Sequence, residues 1–456
     1  MLDATTFKAY DIRGLHGEQL DEDGAYLVGR AFARVLAEKE GKRSDELRVG
    51  LGRDMRLEAP AMAARYADGL RDEGADVLDI GQVGTEMLYF AVGSRDLDGG
   101  LMCTASHNPR AYTGAKLVKR GAIALSGDAG IAEVKRIATG GELGKPAGER
   151  GTYAEEDVAA DFRAEALKFI EPGNVRETKV VLDGGNGMAG PMVGQILDGL
   201  PLEQVQMYWT PDGSFPDHEP NPLLEENRRL IIDKVREQGA DLGIAWDGDA
   251  DRCFFIDDTG EFVAGDFLTA LLAEALLRKE PGAQILYDVR ASRAVADVVE
   301  RGGGSARPNR VGHAFFKERM RDEGAAFGGE VSGHYYFRDF YCADSGTIPA
   351  LLMLELLSVE GKRLSELLAP LRERYFISGE INSEVDDQDA KMAEIKERYA
   401  DGELSELDGV SVDYDDWHFN VRPSNTEPLL RLTLESVVSD EHMEEKRDEL
   451  LGMIRG

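Results

Sequence analysis

Residues 178–190 read "TKVVLDGGNGMAG": an apolar, β-branched run closes on an aspartate, glycines turn the chain, and a helix-compatible segment follows. A strand buried on both faces needs such a continuous apolar run, and a short glycine loop leading into a helix is how a parallel sheet is wound. The same pattern recurs in "LRVGLGRD" (47–54), "ADVLDIGQVGT" (75–85), "GGLMCTASHN" (99–108), "ADLGIAWDGDADR" (240–252), "AQILYDVRAS" (283–292) and "AAFGGEVSGH" (325–334). This alternation predicts an α/β fold. Ligand-binding groups in such sheets collect beyond the carboxyl ends of the strands, where nearly all the chemically suggestive segments fall, so one shared cleft is expected. "GNGMAG" (185–190) matches the dinucleotide pattern GxGxxG, but the next strand, "VQMYWT" (205–210), ends without an acidic residue for a ribose. Its glycines are therefore read as a tight turn and close helix packing.

The chain has 456 residues, enough for three or four domains at roughly 100–200 residues each. Breaks are expected in "TGGELGKPAGERGTY" (139–153), close to the acidic loop at 251, and in the polar stretch 366–372. These give domains at 1–151, 152–251, 252–368 and 369–456. The last differs in pattern. "YFISGEINSEV" (375–385), "GVSVDYDDWHFNVRPS" (409–424) and "PLLRLTLESV" (428–437) suggest an antiparallel sheet with helices, a smaller α+β domain.

Acidic residues number 86 against 53 basic ones, a net charge of −33 spread along the chain. Such a surface repels nucleic acid and anionic lipid, so neither is expected as a partner. Self-repulsion of this size is screened by salt, which suggests a halophilic source. No apolar stretch has the length of a membrane span, and "MLDATTFKAYDIRG" (1–14) lacks a basic flank followed by an apolar signal region. A cytoplasmic location is expected. Cys103, Cys253 and Cys342 form no CxxC pair, so they are read as reduced and mostly buried.

Four segments carry chemistry. In "TASHNP" (104–109), Ser106 is either a nucleophile or, with Asn108, the cap of a helix starting near Pro109; the hydrolase pattern GxSxG is absent. Lys116, in "YTGAK", offers a cation or proton carrier that can return to the same place. In "DGDADR" (247–252), Asp247, Asp249 and Asp251 alternate so that a curved backbone aims three carboxylates at one hard cation, with Arg252 beside them for a phosphate. An EF-hand is disfavoured, because its sixth position is Arg252 instead of Gly and its twelfth is Asp258 instead of Glu. "GEVSGH" (329–334) offers Glu330 and Ser332 for sugar hydroxyls, and His334, or His313 in "GHAFFK" (312–317), for proton transfer. "RPSNTEP" (422–428) crowds Arg422, Ser424, Asn425 and Thr426 into a turn suited to a phosphate.

With "KAYDIRG" (8–14), these motifs occur in the order and approximate spacing of the α-D-phosphohexomutases, and the whole chain resembles the phosphomannomutase/phosphoglucomutase type of that family. The resemblance implies four domains around a central cleft, three related α/β units with mixed sheets and a smaller C-terminal domain. It implies that Ser106 is the phosphoserine and that Asp247, Asp249 and Asp251, with a phosphoryl oxygen on Ser106, hold Mg²⁺. Arg13, Lys116 and Arg252 would stabilise the moving phosphoryl group, with Lys116 and His334 as proton-transfer candidates. Arg290, His313, Glu330, Ser332, Arg422, Ser424, Asn425 and Thr426 would bind the hexose phosphate, and hexose 1,6-bisphosphate would be the intermediate. The protein would be a monomer or homodimer. "YTGAKLV" departs from the usual Asn-Gly-Phe/Tyr-Lys pattern, and Arg290 stands where many members have lysine. "KAYDIRG" and "RPSNTEP" differ from the "GTDGIRG" and "RPSGTEP" more usual in phosphoglucosamine mutases, which, with a sugar-phosphate phosphatase and a non-catalytic binder, are the competing readings.

Overall fold

The computed structural model describes residues 1–141, 143–146, 148–424 and 429–456. The chain divides into two compact units, Met1–Phe262 with Ser332–Gly361, and Val263–Val331 with Lys362–Gly456.

The first unit contains two mixed sheets. In the first, the order is Ile12–Leu15, Tyr112–Lys119, Gly99–Cys103, Arg48–Arg53, Asp76–Gln82, Tyr153–Glu155, with Ile123–Ala124 pairing to the side of Tyr112–Lys119. Its central strands are parallel, as the apolar runs predict, while Tyr112–Lys119 runs antiparallel to both neighbours. That reversal returns the chain from the serine loop along its own strand and sets Lys116 opposite Met102. The helix Glu22–Glu40 starts where the Asp21 carboxylate accepts from Gly24 N–H and stops at Gly41, whose φ of 64° a side chain would disfavour. It packs on helix Ala59–Asp72, where Gly69 has no room for a Cβ: one would stand 2.8 Å from the Arg30 nitrogen.

The second sheet has the order Cys253–Ile256, Leu242–Trp246, Thr178–Asp183, Leu202–Met207, parallel except for Cys253–Ile256. The acidic loop is thus the turn of an antiparallel hairpin, with Trp246 paired to Cys253. Both sheets run past the expected divisions at 151 and 251, because each ends on a short strand that lies beyond them in sequence. The segment Ser332–Gly361 contributes the hairpin Tyr335–Phe337 with Ala343–Asp344 and the apolar helix Thr347–Glu360, and the Trp246 indole donates to the Gly346 carbonyl at 2.9 Å. All three cysteines are free and buried, as expected.

In the second unit, Gln284–Asp288 pairs in parallel with Ser305–Asn309 and with Phe327–Gly329, accompanied by helices Gly265–Lys279, Ala294–Arg301 and His313–Glu323. The stretch expected as a boundary at 366–372 is instead helix Leu364–Arg372, which buries Leu364, Leu368 and Leu371 on one stripe. The expected antiparallel sheet follows, in the order Phe376–Ile377, Leu429–Ser436, Trp417–Pro423, Val410–Asp413, Glu403–Ser405, with Ile381–Glu384 also on Leu429–Ser436. Its core is Val410, Val412, Trp417, Phe419, Val421, Leu432 and Leu434, closed by Ile395 and Leu450 from helices Gln388–Arg398 and Asp440–Arg455. Among the described residues no helix is long and apolar enough to cross a membrane.

Candidate active site

The serine loop leaves the carboxyl end of strand Gly99–Cys103 and turns directly into strand Tyr112–Lys119, so no helix follows Pro109 and the capping reading of Ser106 fails. Ser106 is buried and takes a left-handed φ of 48°, uncommon without glycine and held here by its surroundings. Its N–H donates to Thr104 Oγ1 at 2.8 Å. The buried Arg56 guanidinium grips the loop by its carbonyls, donating to Ser106 at 2.8 Å, Asn108 at 2.6 Å, Pro109 at 3.1 Å and Tyr112 at 3.0 Å. Arg13 donates to the Ala105 carbonyl and to Asn108 Oδ1 at 2.6 Å, while its Nε donates to Asp11 at 2.9 Å.

The loop meets the acidic hairpin turn. Gly248 permits this approach, because a Cβ there would lie 2.6 Å from the Ser106 carbonyl oxygen. Ser106 Oγ donates to Asp247 Oδ2 at 2.8 Å and stands 3.3 Å from His107 Nδ1. Asp247, Asp249 and Asp251 are fully buried, and one carboxylate oxygen from each lies within 4.8 Å of the others. Lys116 Nζ donates to Asp249 Oδ2 at 2.6 Å and to Asp251 Oδ2, and Thr85 Oγ1 donates to Asp249 Oδ2 as well. Arg252 Nε donates to Asp247 Oδ2 at 2.9 Å.

Three carboxylates in so small a dry volume cannot be equivalent. Burial pushes the Asp247 carboxyl up, with Arg252 opposing, and pushes the Asp251 carboxyl up further with help from the negative Asp249. Burial would raise Asp249 too, but the Lys116 ammonium and the bonds from Lys116 and Thr85 hold it well below the usual carboxylate range. Lys116 itself loses to burial but gains more from Asp249 and Asp251, which keep it charged. Burial, and then Arg252 and Arg13, push the His107 imidazole far down and keep it neutral.

Among the described residues, the buried Asp249 Oδ1 and Asp251 Oδ1 have no hydrogen-bond partner. A buried carboxylate oxygen left so is costly, and two of them beside Asp247 form a hard-oxygen donor set that fits Mg²⁺. His334 borders this group, with Nε2 at 3.8 Å from Asp251 Oδ1 and Nδ1 at 3.1 Å from Ser332 Oγ. Ser106, Arg13, Lys116, the three aspartates, Arg252, Ser332 and His334 therefore come together in the first unit.

The second unit gathers another set. The Arg290 Nε donates to both oxygens of Asp288, at 2.9 and 3.0 Å, and its Nη1 donates to Glu380 Oε2 at 2.8 Å. Arg422 and Arg431 stand directly opposite each other on neighbouring strands and share the same carboxylate, Arg422 Nη2 at 3.4 Å from Oε2 and Arg431 Nη1 at 3.2 Å from Oε1. Ser424 is buried, with its N–H donating to the Leu429 carbonyl at 2.8 Å; Asn425 and Thr426 lie outside the described residues. Glu330 accepts from Gly312 N–H at 3.1 Å, at the start of the helix whose first residue is His313. Sequence reasoning missed Arg56, Thr85, Glu380 and Arg431. Arg56 and Thr85 carried a signal, each lying three residues past a strand end, in "GLGRDMR" (50–56) and "ADVLDIGQVGT" (75–85).

Four domain models of phosphoglucomutase/phosphomannomutase match the chain: α/β/α domains I, II and III over residues 4–143, 160–260 and 264–375, and the C-terminal domain over residues 380–453. A phosphomannomutase of Salmonella montevideo is 43% identical over 463 residues, 100% of each chain. Phosphohexose mutases of Xanthomonas campestris are 42% identical over 452 residues, 99% of each chain. A solved phosphoglucomutase/phosphomannomutase family protein from Burkholderia thailandensis superposes with a TM-score of 0.89 at 33% identity, covering 99% of this chain and 97% of that one. Fold and relatives together define an isomerase, an enzyme that moves phosphate within hexose phosphates. The chain belongs to the phosphoglucomutase/phosphomannomutase family.

Proposed function

We propose that the protein interconverts the 1- and 6-phosphates of mannose and glucose through a phosphoserine at Ser106 and a hexose 1,6-bisphosphate. The observation that carries this reading is the Ser106 hydroxyl held 2.8 Å from Asp247 inside a buried trio of aspartates flanked by Lys116 and Arg252. A serine there does not need a hydrolase-type triad, although the neutral His107 imidazole stands 3.3 Å from its Oγ. Phosphoryl transfer depends on alignment and charge compensation more than on covalent help.

Starting from phospho-Ser106, the free sugar hydroxyl attacks phosphorus as the bond to Ser106 Oγ breaks. The hydroxyl proton passes to a base, and Oγ recovers a proton. Because Lys116 stays charged between two carboxylates, it serves as charge stabiliser and proton donor towards Oγ. In the tautomer that carries its proton on Nδ1, 3.1 Å from Ser332 Oγ, His334 presents Nε2 as the acceptor. Asp247 orients Oγ, Arg56 fixes its loop, and Arg13 and Arg252 offset the negative charge of the phosphoryl oxygens. Mg²⁺ held by Asp247, Asp249 and Asp251 would supply the remaining positive charge. The bisphosphate then turns around and returns its other phosphoryl group to Ser106. Arg422, Arg431, Arg290 and Ser424 bind the phosphate that is not transferred, and Glu330, Ser332 and His313 bind the sugar. A net charge of −33 is read as adaptation to high salt in the cytoplasm.

Incubation with hexose 1,6-bisphosphate followed by peptide mass spectrometry tests the intermediate. Phosphate is expected on the peptide bearing Ser106 and absent in Ser106→Ala; turnover with that serine never phosphorylated would overturn the mechanism.

A further inference from the structure

Arg422 and Arg431 face each other across neighbouring strands, an arrangement that repels unless an anion lies between them. Arg290 brings a third guanidinium, and Glu380 is the carboxylate all three share. Burial alone would raise the Glu380 carboxyl, but Arg290 first, then Arg422 and Arg431, hold it below the usual range. Even so, among the described residues the buried Nε–H groups of Arg422 and Arg431 have no acceptor. The cluster therefore has one anion in place and donor capacity for a second.

We propose that Glu380 is an exchange partner for substrate phosphate: it pairs with Arg290, Arg422 and Arg431 when the phosphate leaves, and so sets how readily the cluster lets go. This rests on the mutase reading above and deepens it. A carboxylate and a phosphate both match the guanidinium fork, so the arginines can pass from one to the other without standing unpaired in a half-buried site. Without Glu380 the empty cluster would carry repelling charges, and phosphate would bind more tightly. A mutase gains from the weaker grip, because its bisphosphate must release the held phosphate and reverse once per cycle. Tight binding of an intermediate that must move lowers turnover.

The test is titration calorimetry of full-length wild type, Glu380→Gln and Glu380→Asp with inorganic phosphate, beside steady-state kinetics on mannose 1-phosphate. Removing one nearby negative charge should tighten phosphate binding by about tenfold in the Gln variant. KM should fall, and kcat should fall with it. The Asp variant, whose carboxylate is withdrawn by one methylene, should move the same way by less, and it decides the matter if the Gln variant does not fold. Unchanged or weaker phosphate binding in a folded variant, with wild-type turnover intact, overturns this role alone and makes Glu380 a plain scaffold. A wild type that neither binds phosphate nor turns over overturns the mutase reading as well.

Discussion

Lys116 is the cation that two buried carboxylates, Asp249 and Asp251, share. Breaking a buried ion pair costs about 3–5 kcal/mol, so Lys116→Gln should lose stability of that order in denaturant titration. The loss should be partly recovered by Mg²⁺, with a larger rise in Tm than wild type shows; equal stability without metal would contradict the arrangement. Arg56→Lys should lower kcat by about 10–100-fold with little change in KM, because an ammonium cannot span four carbonyls as the guanidinium does. Asp247, Asp249 and Asp251 stand out in the sequence by their alternating spacing, with Lys116 as a nearby cation. The stretch around Ser106, in contrast, fits a helix cap as well as a nucleophile, and the two are separated only by the resemblance and by the strand that follows Pro109. Arg431 and Glu380 were not legible, since their partnership depends on strand register, which brings positions far apart in sequence onto one carboxylate.

Helix Thr85–Ser94 shows what an element adds. Its first residue holds Asp249, and its second, the fully buried Glu86, accepts from Ser345 Oγ and Thr347 Oγ1 at the start of helix Thr347–Glu360. Burial pushes the Glu86 carboxyl up to about 8, with the two hydroxyls opposing. The folded state therefore keeps a proton that the unfolded chain releases near its ordinary value of 4.5. The resulting stability is complete below that value and is lost as pH rises through about 8. Melting temperature should fall between about pH 6 and about pH 9 and fall less in Glu86→Gln; equal slopes would show that Glu86 is not the source. Nothing in "GTEMLYF" (84–90) announces a buried carboxylate, because burial on all sides leaves no period to read. Helix Leu364–Arg372 was hidden for the opposite reason, its charged face resembling a linker.

At the scale of the whole molecule, the α/β pattern and the antiparallel C-terminal sheet were legible because apolar runs and alternation follow burial directly. Where each sheet ends was not, since closing strands such as Tyr153–Glu155 are short and exposed. The net charge of −33 makes a prediction of its own: melting temperature should rise from dilute buffer to molar KCl, and a fall would remove the case for high-salt adaptation. ³¹P NMR observes the transfer of phosphate between two positions of one sugar directly. Mannose 1-phosphate, supplied with Mg²⁺, molar KCl and a trace of hexose 1,6-bisphosphate, should convert to mannose 6-phosphate with the wild type. With Ser106→Ala it should convert at least about 10³-fold more slowly. Release of inorganic phosphate alone, or an unchanged spectrum, would contradict the account.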